Sequence, residues 1–500
     1  MTVHVELRRG AYYDSVSLMQ ISQQVKVAGG VDDAQIGMAT DLNVALLEQS
    51  GYVIPEGATP NDVVVALRAA SDDAIASGLQ ALDAALAALR AQARNAGTGA
   101  DNVPSRTTGS AADHLPGAAY TVISVPGAHA FTEAMDAVDH GLSVMLFSDN
   151  VSVEHEVVLK DAAARKGVLV MGPDCGTAVV NGTALGFANV VRRGPIGMVA
   201  ASGTGAQQVM CLFDLAGVGI SHCLGLGGRD LSATVNGRSA SQALAALAAD
   251  GSTDQIVVVS KPADPAVLAR LEAEAAGSGK QLTWATLGRG LPDLTTQAED
   301  ALRAGGHDVP TWPHWTGADP AHPVPGKLRG LFCGGTLADE AMFIAEEALG
   351  PIQSNLTDDP ALAMSASATT DQHAVLDFGD DEMTRGRPHP MIDPSLRLDR
   401  LRAEGRDATC GVLLLDLLLG HGAHADPATD HAAAIREARA AAAADGRELP
   451  VVVSLIATES DPQGMARTAE ALAAAGASVF TSNAQATRHA ISLLTEGNHA

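Results

Sequence analysis

The chain has 500 residues, more than one hydrophobic core supports, so two to four domains are expected. Its net charge of −26 repels phosphate backbones and anionic lipid, which argues against nucleic acid and membrane partners. Hydrophobic residues make up 46% and aromatics 3%, so the cores must be built from Ala, Val, Leu and Ile, as suits helices packed on parallel sheets.

In chain order, Val3, Val5 and Leu7 alternate as a short strand should. Asp14 and Ser15 can cap a helix carrying Val16, Leu18, Met19 and Val25. A second strand ends near Met38, Thr40 can cap a helix stopped by Gly51, and Val63 to Leu67 reads as a third strand. Ile75, Leu79, Leu82, Leu86 and Leu89 form one stripe of an amphipathic helix, so 1–95 is an N-terminal α/β domain. Residues 96–117 are rich in Gly, Ser, Thr and Pro and read as a mobile linker.

From Tyr120 a strand–helix rhythm resumes: TVISV, a helix ended by Gly141, LSVMLFS, a helix through Val157 to Arg165, and a strand breaking at Gly172-Pro173. A fresh unit starts at Gly194 and looks like a flavodoxin-type domain. A proline-rich linker at 309–326 separates it from a last α/β segment, 327–500, and 196–217 resembles 328–350 as an internal repeat would. Five scattered cysteines without a CxxC pair argue against disulfides and zinc and fit a reducing cytoplasm. The N-terminus has no apolar signal region and no stretch is apolar enough to span a bilayer, so a cytosolic protein is expected.

Four places can carry chemistry. The loop Ser202, Gly203, Thr204, Gly205 follows a strand and opens a helix, so N–H groups and two hydroxyls can converge on an anion; a tight turn that needs glycine for steric reasons explains it equally well. Gly227, Gly228 and Arg229 sit at the next strand's end, where the arginine can grip a carboxylate or phosphate, unless it serves a structural pairing. Gly334, Gly335 and Thr336 form the matching loop of the last segment. In the run 377–394, acidic Asp377, Asp380, Asp381 and Glu382 precede Arg385 and Arg387, and two prolines flank His389; a charge run is usually a solvated face, but the Gly-Arg-Pro-His-Pro core suggests a base, an anion donor or a subunit contact. His421, His424 and Asp426 are better read as incidental than as ligands, and no metal is assigned.

The motifs GPDCGT, FAN, ASGTG, GLGGRDLS, GGTLADEA and LDFGDDEMTRGRPHPMIDP together resemble the FdrA family nearly end to end. That family resembles succinyl-CoA synthetase in turn. The resemblance implies a Rossmann-like CoA-binding-type domain at 118–194 and two flavodoxin-like, synthetase-type ligase domains at 195–308 and 327–500. Lys261-Pro262 matches a segment that precedes the synthetase's catalytic histidine, but the strand after it, 282–290, has no histidine, and no ATP-grasp module is recognisable. A phosphohistidine relay is therefore not expected from that position. The resemblance implies a subunit of an oxamate-type carbamoyltransferase in purine or allantoin nitrogen catabolism, moving a carbamoyl group between phosphate and an amide nitrogen. Carbamoyl phosphate and an amide or carboxylate would be its substrates, with Arg229, Arg387 and His389 as catalytic groups beside the glycine loops. Separate subunits and a homo- or hetero-oligomer are implied. The alternative is an NDP-forming acyl-CoA synthetase that binds CoA; no other cofactor is implied.

Overall fold

The computed structural model describes residues 2–11, 13, 15–55, 57–95, 105–384 and 387–494. The chain divides into two compact units, Met1–His114 with Arg385–Pro388, and Leu115–Thr384 with His389–Ala500.

The first unit runs β1 (Thr2–Arg8), α1 (Ser15–Gly29), β2 (Asp33–Met38), α2 (Asp41–Gln49), β3 (Val63–Ala69), α3 (Asp72–Asn95) and α4 (Thr108–His114). Strand β3 lies between β1 and β2 and is antiparallel to both, a split βαβ arrangement. Leu18, Ile21 and Val25 of α1 and Leu82 and Leu86 of α3 cover one face of the sheet, on Ile36, Val65 and Leu67. Thr40 caps α2 by accepting from the Asn43 N–H. The expected cap at Asp14 lies outside the described residues, as do linker residues 96–104. The rest of that linker is not wholly irregular, because Thr107 and Ser110 cap each other's backbone and α4 forms behind them.

The second unit opens with β4 (Tyr120–Ile123), α5 (Gly127–Asp139), β5 (Ser143–Leu146), α6 (Val153–Lys166) and β6 (Val170–Met171), whose strands form a three-stranded parallel sheet. Then come β7 (Thr177–Val180), β8 (Thr183–Gly186), β9 (Arg193–Ala201), α7 (Gly203–Leu215), β10 (Ile220–Gly225), α8 (Arg238–Ala249), β11 (Gln255–Ser260), α9 (Pro265–Ala275), β12 (Gln281–Thr286) and α10 (Leu294–Ala304). Their sheet has the order β12-β11-β9-β10-β7-β8. The expected boundary at residue 194 is thus displaced: the β7–β8 hairpin leaves the first sheet and adds antiparallel to β10. A two-residue turn at Asn181-Gly182, both left-handed, closes it.

The last segment contains β13 (His314–Trp315), β14 (Lys327–Phe332), α11 (Gly335–Leu349), β15 (Ala374–Asp377), α12 (Asp381–Thr384), α13 (Ser395–Arg406), β16 (Cys410–Leu418), α14 (Pro427–Ala444), β17 (Val451–Ile456), α15 (Met465–Ala474), β18 (Ala477–Phe480) and α16 (Asn483–Ser492). Its sheet runs β13-β18-β17-β16-β14-β15. The proline-rich segment before it is only partly a linker, since β13 is the sheet's edge strand and pairs with β18. In both large sheets the first of the parallel strands, β9 or β14, lies between the second and the third of them, the flavodoxin-like order. The units β9–α7 and β14–α11 are therefore equivalent, as the internal resemblance suggests. One core joins the two sheets: Met198, Phe213 and Leu294 pack in the same cluster as Phe332, Leu337 and Ile456.

Candidate functional site

In such sheets the chain leaves the first and third strands in opposite directions, which opens a crevice at their carboxyl ends. Ala201 and Ser260 are the paired last residues of β9 and β11, so Ser202 and Lys261 leave the sheet side by side. Phe332 and Asp377 are likewise paired at the ends of β14 and β15, with Gly334 and Gly335 just beyond.

The two glycine loops face each other. The Ser202 hydroxyl accepts from the Gly205 N–H at 3.0 Å and shares a 2.7 Å hydrogen bond with Thr336 Oγ1. A Cβ at Gly334 would lie 2.9 Å from the Thr204 side chain, so its glycine is required by close approach. Ser202, Gly205 and Thr336 are buried. Their hydroxyls cap and join two helices, so these two side chains are engaged with each other. What stays open is Gly203 and Thr204 on α7 and Gly335 on α11. The N–H groups of Gly335, Thr336 and Leu337 find no acceptor among the described residues, because the first helical bond of α11 runs from Ala338 N–H to Gly334.

Gly335 separates two opposite charges. A Cβ there would lie 2.8 Å from Asp377 Oδ2 and 3.1 Å from Lys261 Nζ. Asp377 Oδ1 accepts from the Gly379 N–H at 2.8 Å, whereas its Oδ2 and the Lys261 ammonium have no hydrogen-bond partner among the described residues. Asp377 is only 4% exposed, and burial pushes its carboxyl up to about 7 against the opposing pull of Gly379 N–H and Lys261. Asp174 keeps open surface while protein crowds it, as a cleft-lining residue does; that desolvation and the charges of Asp381 and Asp149 push it up to about 7. Asp339, within the field of Lys261, is pushed up to about 6 by burial.

His389 completes this wall. A Cβ at Gly379 would lie 2.8 Å from its Nε2 and 3.1 Å from Asp377 Oδ1. Its Nδ1 accepts from the Met391 N–H at 3.2 Å, so the neutral ring carries its proton on Nε2. Burial, with Arg397 adding to it, lowers its pKa to about 4, so the ring is neutral at pH 7. It tilts against Phe187 at 5.7 Å, and Phe187 against Phe147 at 5.6 Å.

Other expected site residues lie apart from this wall or are already engaged. Arg229 is half-exposed but pairs with buried Glu156 at 3.0 Å and donates to the Val151 carbonyl at 2.8 Å, near the start of α6. Gly227 is left-handed because it packs on the Gly172-Pro173 segment, whereas Gly228 faces open space. Arg387 is exposed, two residues before His389. Lys261 and Asp174 are not among the expected site residues and Asp377 is named only within the acidic run; the signal is a charged side chain at or just past a strand's end, since Lys261 follows β11, Asp377 ends β15 and Asp174 lies three residues beyond β6. The loop that would carry a relay histidine is fixed instead: Arg289 binds Glu346 bidentately at 2.7 and 2.9 Å and lies 4.8 Å from the Phe343 ring centre.

A family model described as "AllF, heavy metal-associated domain" matches residues 1–103, and one described as "CoA-ligase" matches residues 331–493. Residues 1–103 contain no cysteine, and among the described residues no three His, Cys, Asp or Glu are grouped to hold a metal ion, so the chain does not fit a thiolate metal site there. The α subunit of the ADP-forming succinate–CoA ligase of Methanothermobacter thermautotrophicus is 28% identical over 28% of this chain, which spans 47% of that subunit. The dinucleotide-forming acetyl-coenzyme A synthetase 1 of Ca. Korarchaeum cryptofilum aligns over 79% of this chain and 87% of its own, with 14% identity and a TM-score of 0.31. No helix among the described residues is long and apolar enough to cross a membrane. The uncharacterized protein YahF of Escherichia coli (strain K12) is 38% identical over 100% of both chains; the chain belongs to the family of YahF, with a CoA-ligase domain at its C-terminal end.

Proposed function

We propose that the crevice carries out acyl transfer of the acid–thiol ligase class, moving an acyl group between phosphate and the thiol of coenzyme A. The observation that carries this reading is the start of α11, where three N–H groups without acceptors among the described residues begin at Gly335, beside a Lys261 ammonium that has no partner among them either. Together they suit the phosphate of an acyl phosphate. His389 Nε2–H is a neutral donor for the carbonyl oxygen as it gains charge, and with its proton there it does not act as a phosphoryl acceptor. Asp174 and Asp377, titrating near 7, suit removal of the nucleophile's proton. The carbon–oxygen bond to phosphate breaks, the carbon–sulfur bond forms, and the thiol proton passes through a carboxylate to the leaving phosphate. Bound coenzyme A supplies the thiol; half-exposed Arg229 beside open Gly228 suits its phosphates. Nucleotide-driven synthesis would need a separate ATP-binding subunit.

A second reading, carbamoyl transfer of the FdrA type, is favoured by the pairing of Lys261 with Asp377. A cation and a carboxylate flanking one glycine complement an amide, whose carbonyl accepts and whose N–H donates. Carbamoyl phosphate would then pass its carbamoyl group to an amide nitrogen, whose proton leaves with phosphate.

Phosphate release tests both. Acetyl phosphate with coenzyme A should release phosphate, and Lys261→Met should lower kcat/KM by roughly 100-fold. Release only from carbamoyl phosphate with oxamate would favour the second reading. No release from either pair, with partner subunits added, would refute both.

A further inference from the structure

Gly334 is the N-cap residue of α11 and has no side chain with which to cap it. The neighbouring strand provides the hold. Asp416 of β16 is fully buried, and its Oδ1 accepts from the Cys333 N–H at 2.8 Å while its Oδ2 accepts from the Gly334 N–H at 2.9 Å. Arg397, 2% exposed, donates to Asp416 Oδ1 at 2.5 Å and to the Asp416 carbonyl at 2.7 Å. Its other end donates to His431 Nε2 at 2.9 Å, and that tautomer is fixed because His431 Nδ1–H donates to the Pro427 carbonyl at 2.8 Å. A buried ion pair of this kind is poor value for stability, since apolar residues of the same volume often serve as well. What it does supply is direction: the Cys333 and Gly334 N–H groups are both held by Asp416, while the next three, of Gly335, Thr336 and Leu337, find no acceptor among the described residues.

We propose that Asp416, backed by Arg397, is the positioning residue of the site: it orients the β14–α11 loop so that the N–H groups of Gly335, Thr336 and Leu337 meet an anion beside Lys261. This rests on the acyl-transfer reading of the crevice. The test is an Asp416→Asn/Arg397→Met double variant of the full chain, which removes both charges and keeps the volume. Inorganic phosphate affinity is measured by calorimetry, and kcat and KM are measured with acetyl phosphate. The folded double variant should bind phosphate about 10- to 100-fold more weakly and show the loss in KM for acetyl phosphate. A folded variant with wild-type phosphate affinity overturns the positioning role. Lys261→Met separates the two failures. If it weakens phosphate binding and the double variant does not, only the positioning role falls. If neither variant changes phosphate binding, the anion site itself is wrong and the inference falls with it. Should the double variant not fold, amide exchange of the wild type decides. The Gly335 to Leu337 amides should gain protection on phosphate addition while Cys333 and Gly334 are protected throughout; protection of all five without phosphate refutes the idea.

Discussion

Asp377 shows how one carboxyl ties the site to stability. Its folded pKa of about 7 lies well above that of an exposed aspartate. The folded state therefore binds the proton more tightly than the unfolded chain. Stability from this group is full below the unfolded pKa and is lost as pH rises through about 7. Asp377→Asn keeps an acceptor for the Gly379 N–H and removes the charge. It should raise stability by roughly 3–4 kcal/mol at pH 8 and by only about 1 kcal/mol at pH 5, while abolishing phosphate release. Thermal melts at the two pH values check this, and equal gains at both would contradict the assignment. The residue was in plain view in the sequence, but within an acidic run that reads as a solvated face. Its burial depends on the pairing of β15 with β14, which no local pattern announces. His389 was legible because prolines on both sides keep it off a helix, yet its proton position depends on the Met391 N–H.

At the scale of elements, the strand–glycine–helix units were readable from their aliphatic runs and loop glycines, and β9–α7 and β14–α11 occupy equivalent places. The difference between them was not readable. Ser202 turns inward to cap α7 and meet Thr336, so the hydroxyl-rich loop became a joint, while the plainer Gly334-Gly335 loop kept its free donors. Gly335→Ala isolates that difference. The added methyl occupies the gap between Lys261 and Asp377, and the better helix propensity of alanine offsets the contact, so stability should change by less than about 1 kcal/mol. Phosphate should no longer raise the melting temperature. An unchanged phosphate-induced shift would mean that the ligand sits elsewhere.

At the scale of the whole molecule, the strand–helix rhythm of each half was readable in the sequence, but their fusion was not. The FAN motif is one of its joints. Asn189 is fully buried; its amide donates to the Leu419 carbonyl at 3.1 Å and to Asp461 at 2.8 Å, and its carbonyl accepts from Gln207 at 3.0 Å. Asn189→Ala leaves Asp461 and Gln207 short of partners and should cost about 3 kcal/mol, seen as a lower midpoint in urea. A cost under about 0.5 kcal/mol would show that the joint is held by apolar packing alone.

The β7–β8 hairpin bears on how this protein can be cut. An expression fragment begun at residue 195, where the sequence rhythm restarts, would strip β10 of its antiparallel neighbour and bare a row of backbone donors and acceptors. Such a piece invites edge-to-edge aggregation, whereas one begun at residue 115 retains the hairpin that shields that strand.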